Sequence, residues 1–175
     1  MIRIYFDAYT CTMGISNTAR LIYLVYFVTH IPITMCVDLQ GLFPGFYEGT
    51  PLAGLLDWYV ATYNDVLMEG ARSGDMPWFK SFLFCEALFQ LPFFFYASVA
   101  LAQKINSVRV PMIIYGSHVA TTVLAILTEF AYSPALTQEQ RLTLFGFYLP
   151  YLLVPVALVL DFSRHPVPFG GTKRA

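Results

Sequence analysis

The sequence predicts an all-α membrane protein, a four-helix transmembrane bundle with kinked helices and a short helix in a lumenal loop. Of the 175 residues, 57% are hydrophobic and 12% are charged, whereas soluble domains carry about 25% charged residues. Phenylalanine and tyrosine number 16 and 12, which is typical of lipid-facing surfaces with interfacial aromatic belts. Four separate segments are apolar over the roughly 20 residues that a helix needs to cross the hydrocarbon core.

The four predicted spans cover residues 21–39, 79–102, 110–130 and 142–160. Prolines at positions 32, 92, 150 and 155 should kink these helices, which membrane helices tolerate when their neighbours satisfy the freed carbonyls. The second and third connections are short, and Thr137 is a candidate N-cap for the fourth helix.

The long first connection contains an amphipathic segment, residues 52–68, with the sequence LAGLLDWYVATYNDVLM. Its apolar side chains recur near one helical face. We expect one short helix here, which either lies at the membrane interface or packs as a lid over the mouth of the bundle. This interpretation places Asp65 outside the bundle interior, where it would support the loop.

The distribution of basic residues predicts that both termini are cytosolic. Seven lysines and arginines fall on one side of the bundle and three on the other, which orients the first side towards the cytosol. The seven are Arg3, Arg20, Lys104, Arg109, Arg164, Lys173 and Arg174, and the three are Arg72, Lys80 and Arg141. We divide the chain into a cytosolic segment (1–20), a membrane domain (21–160) and a cytosolic tail (161–175), and expect the first span to be an uncleaved targeting signal.

Composition argues against several other classes of protein. The net charge is -1 and no basic run is present, so we expect no nucleic-acid partner. Cys11, Cys36 and Cys85 lack the spacing of metal ligands or of a disulfide framework. We therefore expect neither a cofactor nor a metal site.

Two carboxylates, Asp38 and Glu86, lie within the predicted spans. An ionisable group at that depth costs several kcal/mol if it faces lipid, so such groups turn inward and mark functional sites. With a rise of about 1.5 Å per residue, Glu86 lies roughly 10 Å below the lumenal end of the second helix, and Gln90 follows one turn deeper.

Polar residues of all four helices converge in the lumenal half of the bundle. The predicted ligand-binding residues within the spans are His30, Asp38, Glu86, Gln90, Thr122, Tyr148 and Tyr151. An eighth, Asp65, is a candidate only through the family resemblance described below. His30 lies near the midplane and either lines the pocket or donates to a neighbouring helix. His118 lies closer to the cytosol, where we expect it to pack, and Glu129 should extend to the lumenal interface.

Asp38 and Glu86 cannot both stay ionised if they approach each other in a medium of low dielectric constant. A protonated Glu86 beside an ionised Asp38 makes a site with one negative charge and an aromatic wall. Such a site suits a lipophilic amine or the hydroxyl of a sterol. The plainer alternative is a buried carboxyl pair that fixes the helix register.

Several runs resemble the sigma-2 receptor (transmembrane protein 97) family. They are HIPIT with DLQ in the first helix, WFKSFLFCE and FQLPFF in the second, HVATT in the third, and RLTL with YLPYLLVP in the fourth. Together with Trp58, Tyr59 and Asp65, the resemblance covers roughly residues 20–160.

The resemblance implies a multi-pass protein of the endoplasmic reticulum membrane, and with it the nuclear envelope, with an EXPERA domain shared with emopamil-binding sterol isomerases. It implies binding of cholesterol or oxysterols and of cationic amphiphiles, homodimers, and an influence on cholesterol traffic with the Niemann–Pick type C transporter. Asp38 corresponds to the amine-pairing carboxylate, Glu86 to the acid beside it, and Asp65 to a second acidic ligand-binding position. The sequence ends GGTKRA rather than in the family's lysine-rich retrieval tail.

We expect a non-catalytic receptor-like protein that binds sterols and lipophilic amines and regulates lipid homeostasis. The alternative is a sterol double-bond isomerase, in which His30, Asp38 and Glu86 would supply the general acid and base. A purely structural subunit is the third hypothesis.

Overall fold

The computed structural model describes residues 14–170, so the expectations for residues 1–13 and 171–175, including Arg3, Cys11, Lys173 and Arg174, lie outside the described residues. Within residues 14–170 the regular structure is entirely helical. Four helical stretches are long and apolar enough to cross a membrane: Asn17–Gly41, Pro77–Gln103, Asn106–Tyr132 and Gln138–Arg164. Each contains one predicted span, which confirms the predicted fold class.

The first span consists of helix α1 (Asn17–Cys36) and a 3₁₀ turn, Asp38–Gly41. Ser16 caps α1, because its side chain accepts a 3.0 Å hydrogen bond from the backbone N–H of Ala19. Asp38 lies near the end of the first span, Asn17–Gly41, as the sequence predicted, but the local backbone there is not α-helical. The α-helix ends at Cys36, and Asp38 begins the 3₁₀ turn.

The long connection contains α2 (Pro44–Tyr47), α3 (Pro51–Tyr63) and α4 (Val66–Ser73). The expectation of one helix over residues 52–68 is therefore wrong. Asn64 adopts a left-handed conformation with φ of 55° and ends α3. Asp65 then begins α4 as its N-cap, and asparagine and aspartate favour these two roles because their short side chains bond to the local backbone.

The second span contains α5 (Pro77–Cys85), a π-helical turn (Glu86–Gln90) and α6 (Leu91–Gln103). The backbone N–H of Leu91 bonds to the carbonyl of Glu86. Pro92 follows at once. In a regular α-helix its ring would clash with the backbone carbonyl four residues earlier. The widened turn removes that clash, and π-bulges of this kind occur often at functional sites.

The third span is a short 3₁₀ turn (Asn106–Val108) and α7 (Arg109–Tyr132), and the fourth is α8 (Gln138–Tyr148) and α9 (Pro150–Arg164). The prediction that Thr137 is an N-cap is confirmed. Its hydroxyl accepts from the N–H of Gln140 at 3.2 Å, and the Gln140 side chain accepts from the N–H of Thr137 at 2.9 Å.

The spans pack in two main pairs, α1 against α6 and α7 against α9. One hydrophobic cluster joins all four of these helices and includes Phe27, Phe94, Met112 and Phe162. A second cluster joins α3, α4 and α5 to α7 and α8 around Leu56 and other buried apolar residues. Cys36 and Cys85 are unpaired.

Candidate ligand-binding site

A cavity of about 370 Å³ is lined by residues of all four spans and of the long loop. Its wall contains seven of the eight predicted ligand-binding residues. Those from the first two spans are His30, Asp38, Glu86 and Gln90, and those from the last two are Thr122, Tyr148 and Tyr151. The volume falls within the range of about 300–1,000 Å³ that is typical of small-molecule sites.

Three ionisable side chains meet on this wall. A ring nitrogen of His30 and one carboxylate oxygen each from Asp38 and Glu86 all lie within 4.8 Å of one another. Nε2 of His30 is 3.8 Å from Oε1 of Glu86. The proximity of the two acids was inferred from depth alone, and the structure places them together.

The position of Glu86 is set by one further contact that the sequence did not reveal. The Thr34 hydroxyl donates a 2.5 Å hydrogen bond to Oε1 of Glu86, and Thr34 is completely buried. It lies four residues after His30 in α1, so both side chains point to the same face of that helix. The π-helical turn that begins at Glu86 presents the carboxylate from the opposite span.

His30 is fixed mainly by aromatic packing. Its ring stacks on Phe94 with a centroid distance of 4.6 Å and lies 4.7 Å from Tyr151. Its Nδ1 is buried and has no hydrogen-bond partner among residues 14–170. Of the two expectations for His30, the structure therefore supports a place in the cavity wall rather than a bond to a helix carbonyl.

Two polar groups lie deeper in the cavity. The Thr122 hydroxyl donates its hydrogen bond to the carbonyl of Val119 within α7, at 3.0 Å. Gln90 is only 7% exposed and lines the cavity. Among the hydrogen bonds of the described residues, none involves the Gln90 amide, which therefore remains available to a ligand.

Asp65 has a different environment from the other predicted residues. It is fully buried but is not part of the cavity wall. Its Oδ1 accepts from the N–H groups of Leu67 and Met68, both at 3.1 Å. Its Oδ2 accepts from the hydroxyls of Tyr59 at 2.9 Å and Tyr148 at 2.8 Å. The structure thus gives Asp65 a loop-supporting position, as the sequence interpretation placed it, rather than a direct ligand contact.

The electrostatics of Asp65 follow from this burial. Burial raises the pKa of the Asp65 carboxyl, and the four donors oppose that rise. Burial and the neighbouring Asp65 raise the pKa of Tyr59, which keeps its hydroxyl protonated as a donor. Asp65 therefore joins the loop, through Tyr59, to the fourth span, through Tyr148.

The loop helix α3 completes the cavity. Trp58, Tyr59 and Tyr63 line it, and the ring of Tyr63 packs edge-on against Phe147 of α8 at 4.8 Å. Of the two alternatives for this segment, the structure supports the lid. Trp58 and Tyr63 were not among the predicted site residues, although Tyr63 lay on the apolar face of the amphipathic segment.

Two other ionisable residues of the spans lie away from this wall. Nε2 of His118 is buried without a hydrogen-bond partner among the described residues. Glu129 borders a shallow outer groove together with Trp78 and Tyr132. Neither residue lines the cavity.

Fold and site together define a class: a multi-pass membrane protein whose spans enclose an acidic cavity with aromatic walls. The sequence profile of the EXPERA (expanded EBP) superfamily matches residues 51–162. The chain therefore belongs to the EXPERA superfamily.

Individual relatives agree with this assignment. Sigma intracellular receptor 2 of Xenopus tropicalis is 46% identical over 154 residues, covering 83% of this chain and 88% of its own. The Homo sapiens protein of the same name is 39% identical over 154 residues, covering 81% and 85%. Efficient mitochondria targeting-associated protein 19 of Schizosaccharomyces pombe is 32% identical over 145 residues, covering 80% and 72%.

Proposed function

We propose that this protein is a non-catalytic, receptor-like membrane protein that binds sterols and lipophilic amines in its intramembrane cavity and thereby regulates sterol traffic. The single observation that carries the proposal is the meeting of Asp38, Glu86 and His30 on one wall of the cavity. The similarity to sigma intracellular receptor 2 supports the receptor-like role.

The chemistry of the wall suits both ligand classes. Neither carboxylate forms an ion pair with a lysine or arginine among the described residues, so a ligand ammonium is a natural counterion for Asp38. The aromatic rings of Trp58, Tyr63 and Tyr151 supply apolar surface and cation–π contacts. A sterol needs one polar partner for its hydroxyl, which either carboxyl group supplies, and an apolar slot for its rings.

The decisive experiment compares the two ligand classes in Asp38→Asn. Saturation binding of a radiolabelled cationic amphiphile should be lost, because an ammonium needs the full negative charge. Binding of a radiolabelled sterol should fall much less, because an amide still hydrogen-bonds to a hydroxyl. Glu129→Gln, outside the cavity, is the matched control and should bind both ligands normally. Equal losses for both ligands in Asp38→Asn would contradict the proposed roles.

A sterol double-bond isomerase is the second candidate. The specific observation in its favour is that a histidine and two carboxyl groups share one cavity with an aromatic wall. Such groups can protonate an alkene and stabilise the resulting carbocation. Incubation of the purified protein with a Δ8-sterol distinguishes the two: formation of the Δ7 product would establish the enzyme and overturn the non-catalytic proposal.

The cellular setting is part of the same proposal. We place residues 21–160, as one membrane domain, in the endoplasmic reticulum membrane with both termini in the cytosol, as a homodimer acting with the Niemann–Pick type C transporter. A glycosylation acceptor inserted beside Gly49, in the loop between α2 and α3, should be modified. The same acceptor at the C-terminus should not be, and the opposite result would reverse the orientation.

A further inference from the structure

One imidazole and two carboxyl groups meet on the cavity wall in an arrangement that offers more than an amine site. His30, Asp38 and Glu86 each present one ligand atom, and these atoms lie within 4.8 Å of one another. We propose that this triad, hereafter the His30–Asp38–Glu86 triad, binds a divalent transition-metal ion, with Zn²⁺ as the best match. This inference does not depend on the proposed receptor function, and because both use the Asp38 carboxylate, a bound zinc ion and a ligand ammonium exclude each other at the triad.

The charges favour a dication. The two carboxyl groups line the cavity and form no ion pair with lysine or arginine within residues 14–170. A basic neighbour among the described residues is His30, whose Nε2 is 3.8 Å from Oε1 of Glu86. Two carboxylates and a neutral imidazole carry a charge of about −2, which a divalent ion cancels. A neutral assembly is the cheapest way to keep such groups in a low-dielectric site.

The ligand types select the class of metal. Mg²⁺ and Ca²⁺ take oxygen ligands alone, whereas imidazole suits Zn²⁺ and its transition-metal neighbours. Zn²⁺ accepts histidine nitrogen and carboxylate oxygen at about 2.0–2.2 Å, which places neighbouring ligand atoms about 3.3 Å apart. The ligand atoms now lie within 4.8 Å of one another, with 3.8 Å between His30 and Glu86, so they would approach by up to about 1.5 Å on binding the ion.

A second, independent observation points to a ligand at the same place. Gln90 is 7% exposed, lies on the cavity wall beyond Glu86, and makes no side-chain hydrogen bond within the part of the chain that the structure describes. An amide on the cavity wall without a protein partner is free to contact whatever binds there, and its carbonyl oxygen would suit a metal ion.

The residues around the triad provide the support that metal ligands need. Thr34 donates to Oε1 of Glu86 at 2.5 Å, and such outer hydrogen bonds orient ligating carboxylates. The His30 ring is held by stacking on Phe94 at 4.6 Å. A water or an oxygen of a cavity ligand would complete the coordination.

The experiment uses the full-length protein, stripped of metal with a chelator and reconstituted in lipid nanodiscs. After addition of Zn²⁺ and removal of the excess, elemental analysis should find one zinc per chain. Co²⁺ in its place should give the visible absorption bands of a four- or five-coordinate site. Zinc X-ray absorption should show one imidazole, oxygen ligands and no sulfur, and that last measurement needs no variant.

Two matched pairs of variants locate the site. His30→Gln is compared with His118→Gln, and Glu86→Gln with Glu129→Gln, with the helical circular dichroism of each checked. His30→Gln and Glu86→Gln should weaken zinc binding at least about tenfold, because loss of even an outer partner of a ligand costs that much. The controls should match the wild type.

Three results would overturn the proposal. They are a wild-type protein that retains no zinc, a sulfur-ligated zinc, and equal retention by the triad variants and their controls.

Discussion

Thr34 and Glu86 are tied together across two membrane spans by a 2.5 Å hydrogen bond from the Thr34 hydroxyl to Oε1 of the carboxyl group. They are 52 residues apart in the chain, and Thr34 is fully buried. The contact holds the Glu86 carboxyl group against the first span at the cavity wall. It therefore couples the packing of the first and second spans to the geometry of the site.

We expect Thr34→Val to destabilise the protein by about 1–3 kcal/mol, because valine keeps the shape but leaves a buried carboxyl oxygen without its donor. Thr34→Ser keeps the hydroxyl and should lose less. Thermal unfolding in one detergent measures the difference. A valine variant as stable as the wild type would show that this hydrogen bond contributes nothing.

In the metal-free protein, substitutions of Glu86 test its proposed state as a protonated partner of Asp38. Glu86→Gln should retain the affinity for a cationic amphiphile within about fivefold, since an amide still accepts from Thr34 and donates to Asp38. Glu86→Ala removes both bonds and should cost about 1–3 kcal/mol of binding free energy. Equilibrium binding on both variants decides the order, and a milder effect of alanine would argue against a protonated Glu86.

The four spans could be predicted from the sequence because length and apolarity are local properties. The cap at Thr137 was equally local, since its hydroxyl and Gln140 lie within one turn. The division of the loop segment into the helices α3 and α4 was harder to predict. The amphipathic pattern continues through Asn64 and Asp65, and the helix ends there because these two side chains favour a left-handed residue and an N-cap.

The site residues that could be predicted are those whose position follows from their depth in the membrane. Asp38, Glu86 and Gln90 lie at depths that could be counted along helices, and the structure places all three on one wall. Thr34 was missed because its role depends on a partner in another span. Trp58 was missed because no sequence pattern states where a loop helix folds back, and that fold depends on contacts such as the one between Asp65 and Tyr148.

Asp65 should determine stability and lid position without touching the ligand. Asp65→Ala removes an N-cap and leaves two tyrosine hydroxyls without an acceptor, so it should destabilise by about 1–3 kcal/mol and weaken both ligand classes alike. Asp65→Asn should lie between alanine and the wild type, because its carbonyl can still cap α4 while Tyr59 and Tyr148 reorient. Thermal unfolding and binding of both ligands check this.

Asp57→Asn is the matched control in the same loop. Asp57 is exposed and pairs with Arg72 at the surface, and such pairs contribute about 0–1 kcal/mol. If Asp65→Ala proved as mild as Asp57→Asn, the loop would not depend on the buried carboxylate. A loss confined to the amine would instead indicate a direct contact between Asp65 and the ligand.

The close packing of the third and fourth spans gives the last prediction. A Cβ at Gly116 of α7 would lie 2.8 Å from the carbonyl oxygen of Pro155 and 2.8 Å from Cγ2 of Val159, both in α9. Backbone cannot yield as a flexible side chain does, so Gly116→Ala should destabilise by about 1–3 kcal/mol. At Gly146 of α8 a Cβ would meet no atom within 4 Å, so Gly146→Ala should instead stabilise by up to about 1 kcal/mol through helix propensity. Thermal unfolding of the two variants side by side tests the helix pairing, and a neutral Gly116→Ala would mean that these two spans do not approach each other as closely as described.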